Sequence, residues 1–201
     1  MMDKIERAMV FATEAHIAQK RKGSGIPYIV HPIEVMKRVS DYGVREQDYL
    51  VAALLHDVHE DSQHMSERIP KEFGQEVYDI VLECSRPERD DATKEEKYKF
   101  LCSFYQKSIV STVIKIADRF CNVNDYMRTK GKEKYASTYA LQAYPIYDSF
   151  ASRVSMKGEV FIDDGVTTKI LYDIVTLQTI ARMVYPTADE KTIEEIKNIV
   201  I

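Results

Sequence analysis

Residues 51–62 read VAALLHDVHEDS. The first five are all apolar, the mark of a buried helix rather than one lying along a surface. Directly against that run stand His56, Asp57, His59, Glu60 and Asp61. Buried imidazoles and carboxylates need partners, so a core segment that turns to charge without a polar transition reads as a functional element. Residues four apart share a helix face, which stacks His56 with Glu60 and Asp57 with Asp61. His56 and Asp57, about 100° apart around the axis, both reach one ion only if it lies over the angle between them, and further ligands must come from elsewhere.

Working outward, the dominant pattern is helical. Ile5, Ala8, Met9, Ala12 and Ala15 recur at spacings of three and four and predict an amphipathic helix ending near Gln19. The loop KRKGSGIPYIVHP follows, and Pro32 suits the first turn of a second helix that stops at Gly43. A third helix covers 46–60. Segments 75–84 and 94–106 continue the pattern, joined by the exposed polar stretch SRPERDDAT. SIVSTVIKIADRFCNV, residues 108–123, is apolar on nearly every side, and its length without internal Gly or Pro favours a buried helix over a strand. A pattern over 131–156 is bent or broken at Pro145. KGEVFIDDGVT, 157–167, reads as a small β-hairpin or an ordered loop, and helices near 167–184 and 188–200 follow, the second opened by TADEKT. With no repeat and no linker, residues 1–201 read as a single all-α domain, a helical bundle with a C-terminal helical extension from about 155 to 201. That extension is open to three roles: capping the core, covering a pocket, or forming the contact of a homo-oligomer.

Composition narrows the function. The 201 residues are 45% hydrophobic and 30% charged, and 28 basic against 32 acidic residues leave a formal charge of −4. No basic face points to nucleic acid, and an anionic ligand needs local positive charge. Cys84, Cys102 and Cys121 have no CxxC spacing, which fits a reducing, cytoplasmic setting. No apolar stretch approaches the roughly 20 residues of a membrane span, and MMDKIERAMV has no signal-peptide core.

Two further positions match the character of the opening stretch. His31, in VHP, closes the loop among apolar neighbours, and Asp118, in IKIAD, stands at the polar end of the most apolar helix. Each alone is more often a satisfied polar core residue. Together, two His and two Asp make a mixed N/O site for Mn²⁺, Fe²⁺, Zn²⁺ or Mg²⁺ with positions left open for water and substrate.

These residues carry a resemblance. AHIAQKRKGSGIPYIVHPIEV, VAALLHDVHEDS and VIKIADRFCNV, spanning residues 15–123, resemble the HD phosphohydrolase superfamily, and within it the hydrolase domain of RelA/SpoT-type alarmone enzymes and their small free-standing relatives, including the metazoan SpoT homologue. The resemblance implies an HD-domain helical bundle with His31, His56, Asp57 and Asp118 as metal ligands and Mn²⁺ as the metal. It implies that Glu60 and Asp61 orient and deprotonate the attacking water, that Asn122 lines the substrate pocket, and that Arg21 and Lys22 lie over the nucleotide.

Elementary chemistry agrees with those roles. Phosphate ester hydrolysis at neutral pH needs an acidified water, which a bound divalent cation provides, and a carboxylate to take the proton. Arg21 and Lys22 bring positive charge that holds a polyphosphate. His59 reads as a bystander on the polar rim, His16 and His64 as structural or exposed, and Lys115 and Arg119, which flank Asp118, as partners of acidic neighbours or of phosphate, with ion pairing the favoured reading. Among thirteen tyrosines, Tyr135 and Tyr139 are the candidates for contact with the base. The expected activity is removal of pyrophosphate from the 3′ position of guanosine tetra- or pentaphosphate, leaving GDP or GTP. The alternatives are a related phosphohydrolase acting on another nucleotide phosphate, such as the 2′-phosphate of NADPH, and a ppGpp-binding sensor without turnover.

Overall fold

The computed structural model describes residues 2–22, 24–86, 93–155 and 164–184. The chain is helical throughout these residues. Helix α1 (Lys4–Ala15) opens on a capping box in which the Asp3 carboxylate accepts from the Glu6 backbone and the Glu6 carboxylate from that of Asp3. It ends at Ala15, four residues short of the sequence expectation, because His16 leaves helical geometry as the cap. The loop that follows folds back on itself: Arg21 N donates to Ile26 O at 2.9 Å and Tyr28 N to Gln19 O at 3.0 Å. Gly25, at φ 75°, makes that reversal possible. Helix α2 (Val30–Tyr42) carries His31 in its first turn and stops at Gly43, as expected, with φ 114°.

Helix α3 (Gln47–Leu55) is the innermost element, with all six residues from Leu50 to Leu55 buried. It packs against α1, α2 and the later helix α7 (Gln75–Cys84). The sequence predicts one helix over 46–60. The structure breaks it: α3 ends at Leu55, His56 and Asp57 form a turn, and a short α4 (Val58–Asp61) follows. The His56 ring nitrogen Nδ1 lies 2.8 Å from the Ala53 carbonyl, which in a regular helix receives the Asp57 N–H, so the side chain competes with the backbone ladder at the break. The short helices α5 (Gln63–Ser66) and α6 (Ile69–Phe73), which the periodicity does not reveal, complete the path to α7.

Beyond the charged connection lie α8 (Lys94–Cys102), shorter than the expected 94–106 because residues 103–105 tighten into a 3₁₀ turn, and α9 (Ile109–Arg128). Helix α9 is capped by Ser108, whose hydroxyl accepts from Ser111 N. It runs five residues past its expected end and packs against α2, α7, α10 (Glu133–Gln142), α11 (Tyr144–Ser155) and α12 (Asp164–Val184). The expected break near Pro145 is present: α10 ends at Gln142, and Pro145 sits in the first turn of α11, where its missing N–H costs nothing. Residues 164–167, read from sequence as part of a hairpin or loop, are the first turn of α12. The remainder of that hairpin, the middle of the 85–93 connection and the helix expected over 188–200 lie outside the described residues. No strand occurs among the described residues, only a single antiparallel bridge between Lys20 and Pro27. No described helix is long and apolar enough to cross a membrane.

Candidate active site

Three segments distant in sequence deliver the polar core of the molecule: the first turn of α2, the α3–α4 break and the middle of α9. His31, His56 and Asp118 each present a ligand atom, and these atoms all lie within 4.8 Å of one another. Asp57 adds a carboxylate oxygen 3.2 Å from His56 Nε2 and 3.5 Å from His31 Nε2. All four residues are buried. Neither Nε2 has a hydrogen-bond partner, a costly condition for a buried polar atom. The contact to the Ala53 carbonyl places a proton on His56 Nδ1 and leaves Nε2 turned toward the site, to carry a second proton or to meet a cation in its place. Burial opposes the His56 imidazolium, but Asp57 and Asp118 outweigh it and push the His56 pKa up to about 10. Two buried carboxylates thus require positive charge at this point. Unpartnered imidazole nitrogens beside surplus carboxylate oxygens fit a divalent cation.

A tight surround holds these four residues. Tyr28 Oη donates to Asp57 Oδ2 at 2.6 Å, Asn122 Nδ2 to Asp118 Oδ1 at 2.5 Å, and Lys115 Nζ lies 3.0 Å from Asp118 Oδ2. Arg21, buried despite its charge, reaches Asn122 Oδ1 at 3.0 Å and Asp125 Oδ2 at 3.3 Å. Lys115 therefore pairs as the sequence suggests. Arg119 instead lies over the Tyr139 ring, 5.0 Å from its centroid.

Glu60 and Asp61, adjacent in sequence, meet different surroundings. Glu60 is gripped by Arg86, which donates to it from the backbone N at 2.9 Å, from Nε at 3.1 Å and from Nη2 at 2.7 Å. Asp61 faces the buried His16, whose Nδ1 is 3.4 Å away, and burial, then Asp57 and Glu60, raise its pKa to about 6. His59 hydrogen-bonds to Ser66 Oγ at 2.7 Å and packs by Tyr78.

Above the cluster opens a cleft of about 410 Å³. Asp57, Glu60, Asp61, Asp118 and Asn122 line it, with Arg21 and Lys22 at one side and Tyr139 at another. Tyr135 is not in the lining; it is half exposed and stacks on Tyr126, which is. Sequence reasoning did not single out Tyr28, Gln19 or Arg86. Tyr28 was legible as the aromatic three residues before His31. Arg86 was not, since it opens a polar stretch that reads as a connection. His16, read as structural or exposed, is buried with its ring 4.9 Å from that of Tyr28.

Comparison with known proteins places this arrangement. A family model described as an HD domain matches residues 8–157. A guanosine-3′,5′-bis(diphosphate) 3′-pyrophosphohydrolase of Aquifex aeolicus is 32% identical over 173 residues, covering 79% of this chain and 23% of that protein. A GTP pyrophosphokinase of Streptomyces coelicolor is also 32% identical over 173 residues, covering 84% of this chain and 20% of its own length. The chain thus spans about a fifth of the length of these curated relatives. A solved structure described as a metazoan orthologue of SpoT that hydrolyses ppGpp has the same fold, with a TM-score of 0.69 over 88% of this chain and 96% of that one at 24% identity.

Proposed function

The chain belongs to the HD-domain family, and from that premise we propose that it is a metal-dependent phosphohydrolase that releases pyrophosphate from the 3′ position of guanosine tetra- or pentaphosphate and leaves GDP or GTP. The observation that carries this reading is the convergence of His31, His56, Asp57 and Asp118, with two unpartnered imidazole nitrogens, at a cleft that Asp57 and Asp118 line together with Glu60, Asp61, Arg21 and Lys22. The curated relative named as a guanosine-3′,5′-bis(diphosphate) 3′-pyrophosphohydrolase, and the structural neighbour described as hydrolysing ppGpp, support the choice of substrate.

Those four residues would hold the cation, and the mixed N/O donor set suits Mn²⁺. A cation bound there lowers the pKa of a water and offsets charge on the phosphate. Asp61 takes the proton of the attacking water: it borders the cleft, and its raised pKa of about 6 matches it to proton transfer near neutrality. Glu60, which accepts three hydrogen bonds from Arg86, holds the Arg86 guanidinium in the lining of the cleft. Arg21 fixes Asn122, and Asn122 fixes Asp118, so a residue facing the nucleotide and a ligand carboxylate move as one unit. Lys22, exposed at the rim, and Arg119 meet phosphate oxygens, and Tyr139 offers its ring to the guanine.

Product analysis after incubating purified protein and Mn²⁺ with ppGpp, and separately with NADPH, tests the reading. Pyrophosphate and GDP are expected from the first. Inorganic phosphate from NADPH alone would replace the substrate, and tight ppGpp binding without products would make the protein a sensor. His56→Ala is expected to lose bound Mn²⁺; an unchanged metal content would refute the ligand set.

A further inference from the structure

Asp61 is not held by a charge partner of the kind that holds Glu60, and its neighbours on α1 and the following loop take that place. His16 is buried, and its Nδ1 lies 2.8 Å from Gln19 Oε1 and 3.4 Å from Asp61 Oδ2. A carboxylate offers only acceptor oxygens to an imidazole, so Asp61 settles that the Nδ1 position carries the proton. The other ring nitrogen, Nε2, is buried without a partner, and burial disfavours the imidazolium. With Nδ1–H as donor, the atom of Gln19 that meets it is the amide oxygen. The Gln19 NH₂ is then the half of the amide left for another acceptor, and Gln19 and Asp61 line the same cleft.

We propose that Gln19 is a positioning residue for Asp61: His16 orients the Gln19 amide, and the amide donates to the Asp61 carboxylate and sets its lone pairs toward the attacking water. The inference rests on the reading of Asp61 as the proton acceptor. The clamp is rigidly mounted, since Gln19 N donates to His16 O at 3.0 Å and Gln19 O accepts from Tyr28 N at 3.0 Å. The hydrogen bond from Gln19, together with His56, opposes the burial that raises Asp61. The same loop thus serves two carboxylates, through Tyr28 at Asp57 and through Gln19 at Asp61.

A double-mutant cycle on ppGpp turnover tests it. Gln19→Met and the isosteric Gln19→Glu are each expected to lower kcat about tenfold, the lower end for loss of a supporting hydrogen bond, with KM and Mn²⁺ content unchanged. In an Asp61→Asn background, Gln19→Met is expected to cost nothing further. An unchanged kcat, or a loss that adds fully to that of Asp61→Asn, would overturn the clamp while leaving the base assignment intact. Wild-type turnover by Asp61→Asn would overturn the assignment of Asp61 and the clamp with it. A readout independent of activity is the NMR shift of the Gln19 side-chain amide protons, expected to move upfield in Asp61→Ala; an unmoved resonance speaks against the contact.

Discussion

Tyr28 reaches the proposed metal site from a loop, and its hydroxyl donates to Asp57 Oδ2. A hydrogen bond from outside the ligand set orients the ligand it touches, and its loss costs about 10- to 100-fold in metal affinity. Tyr28→Phe is therefore expected to weaken Mn²⁺ binding by about tenfold, the lower end of that range, without unfolding the protein, as a metal titration followed by calorimetry would register. Asp61 makes a prediction of opposite sign for stability. Folding raises its pKa from 3.8 to about 6, so the folded state binds the proton more tightly than the unfolded one. The resulting penalty is fully present above pH 6 and fades as the pH falls toward the unfolded value. Metal-free Asp61→Asn is expected to be more stable than the parent at pH 7 by about 1–2 kcal/mol, allowing for the partial exposure of the group, with the gap closing below pH 6 in a urea-unfolding series. Turnover has a matching direction: a proton acceptor must be ionised, so kcat of the parent protein should fall as the solution is acidified.

At the scale of the element, the caps and the breaks carry the information. Ser108 caps α9 through its acceptance from Ser111 N, and its hydroxyl also donates to Glu83 Oε2, which ties α9 to the end of α7. Ser108→Ala removes both contacts and is expected to cost about 1–2 kcal/mol, measured as a shift in the urea midpoint at constant m-value. Boundaries signalled by Gly or Pro were legible in the sequence: Gly43 ends α2, and Pro145 separates α10 from α11. The break at His56 and Asp57 was not, because no helix breaker marks it. It depends on one imidazole taking the Ala53 carbonyl, a contact that residue type and spacing do not encode. The break also alters the geometry expected from a continuous helix, in which Glu60 and Asp61 would stack as a pair under His56 and Asp57. Instead Glu60 turns to Arg86 and Asp61 to His16.

At the scale of the whole molecule, α12 is tied to the core by a buried polar knot. Asp173 on α12 accepts two hydrogen bonds from the Arg38 guanidinium, one from Nε at 2.6 Å and one from Nη2, and a third from Tyr42 Oη at 2.6 Å. Arg38 also stacks over Phe120 of α9, 4.0 Å from the ring centroid. Asp173→Ala leaves the buried Tyr42 hydroxyl and the partly exposed Arg38 guanidinium without their acceptor and is expected to cost about 1–3 kcal/mol, read as a lowered denaturation midpoint. The sequence by itself determined that the fold is all-helical among the described residues and that buried segments lie within 50–55 and 109–123, and it picked out His31, His56, Asp57 and Asp118 as residues of ligand type, because helical period and donor type are local properties of the chain. Tertiary structure decided the rest. That Glu60 meets Arg86 while Asp61 meets His16, that Tyr139 and not Tyr135 lines the cleft, that Tyr28, Gln19 and Arg86 line it too, and that α12 is pinned through Asp173 all depend on contacts between elements far apart in sequence. Such contacts are set by how the helices pack and not by the residues on either side.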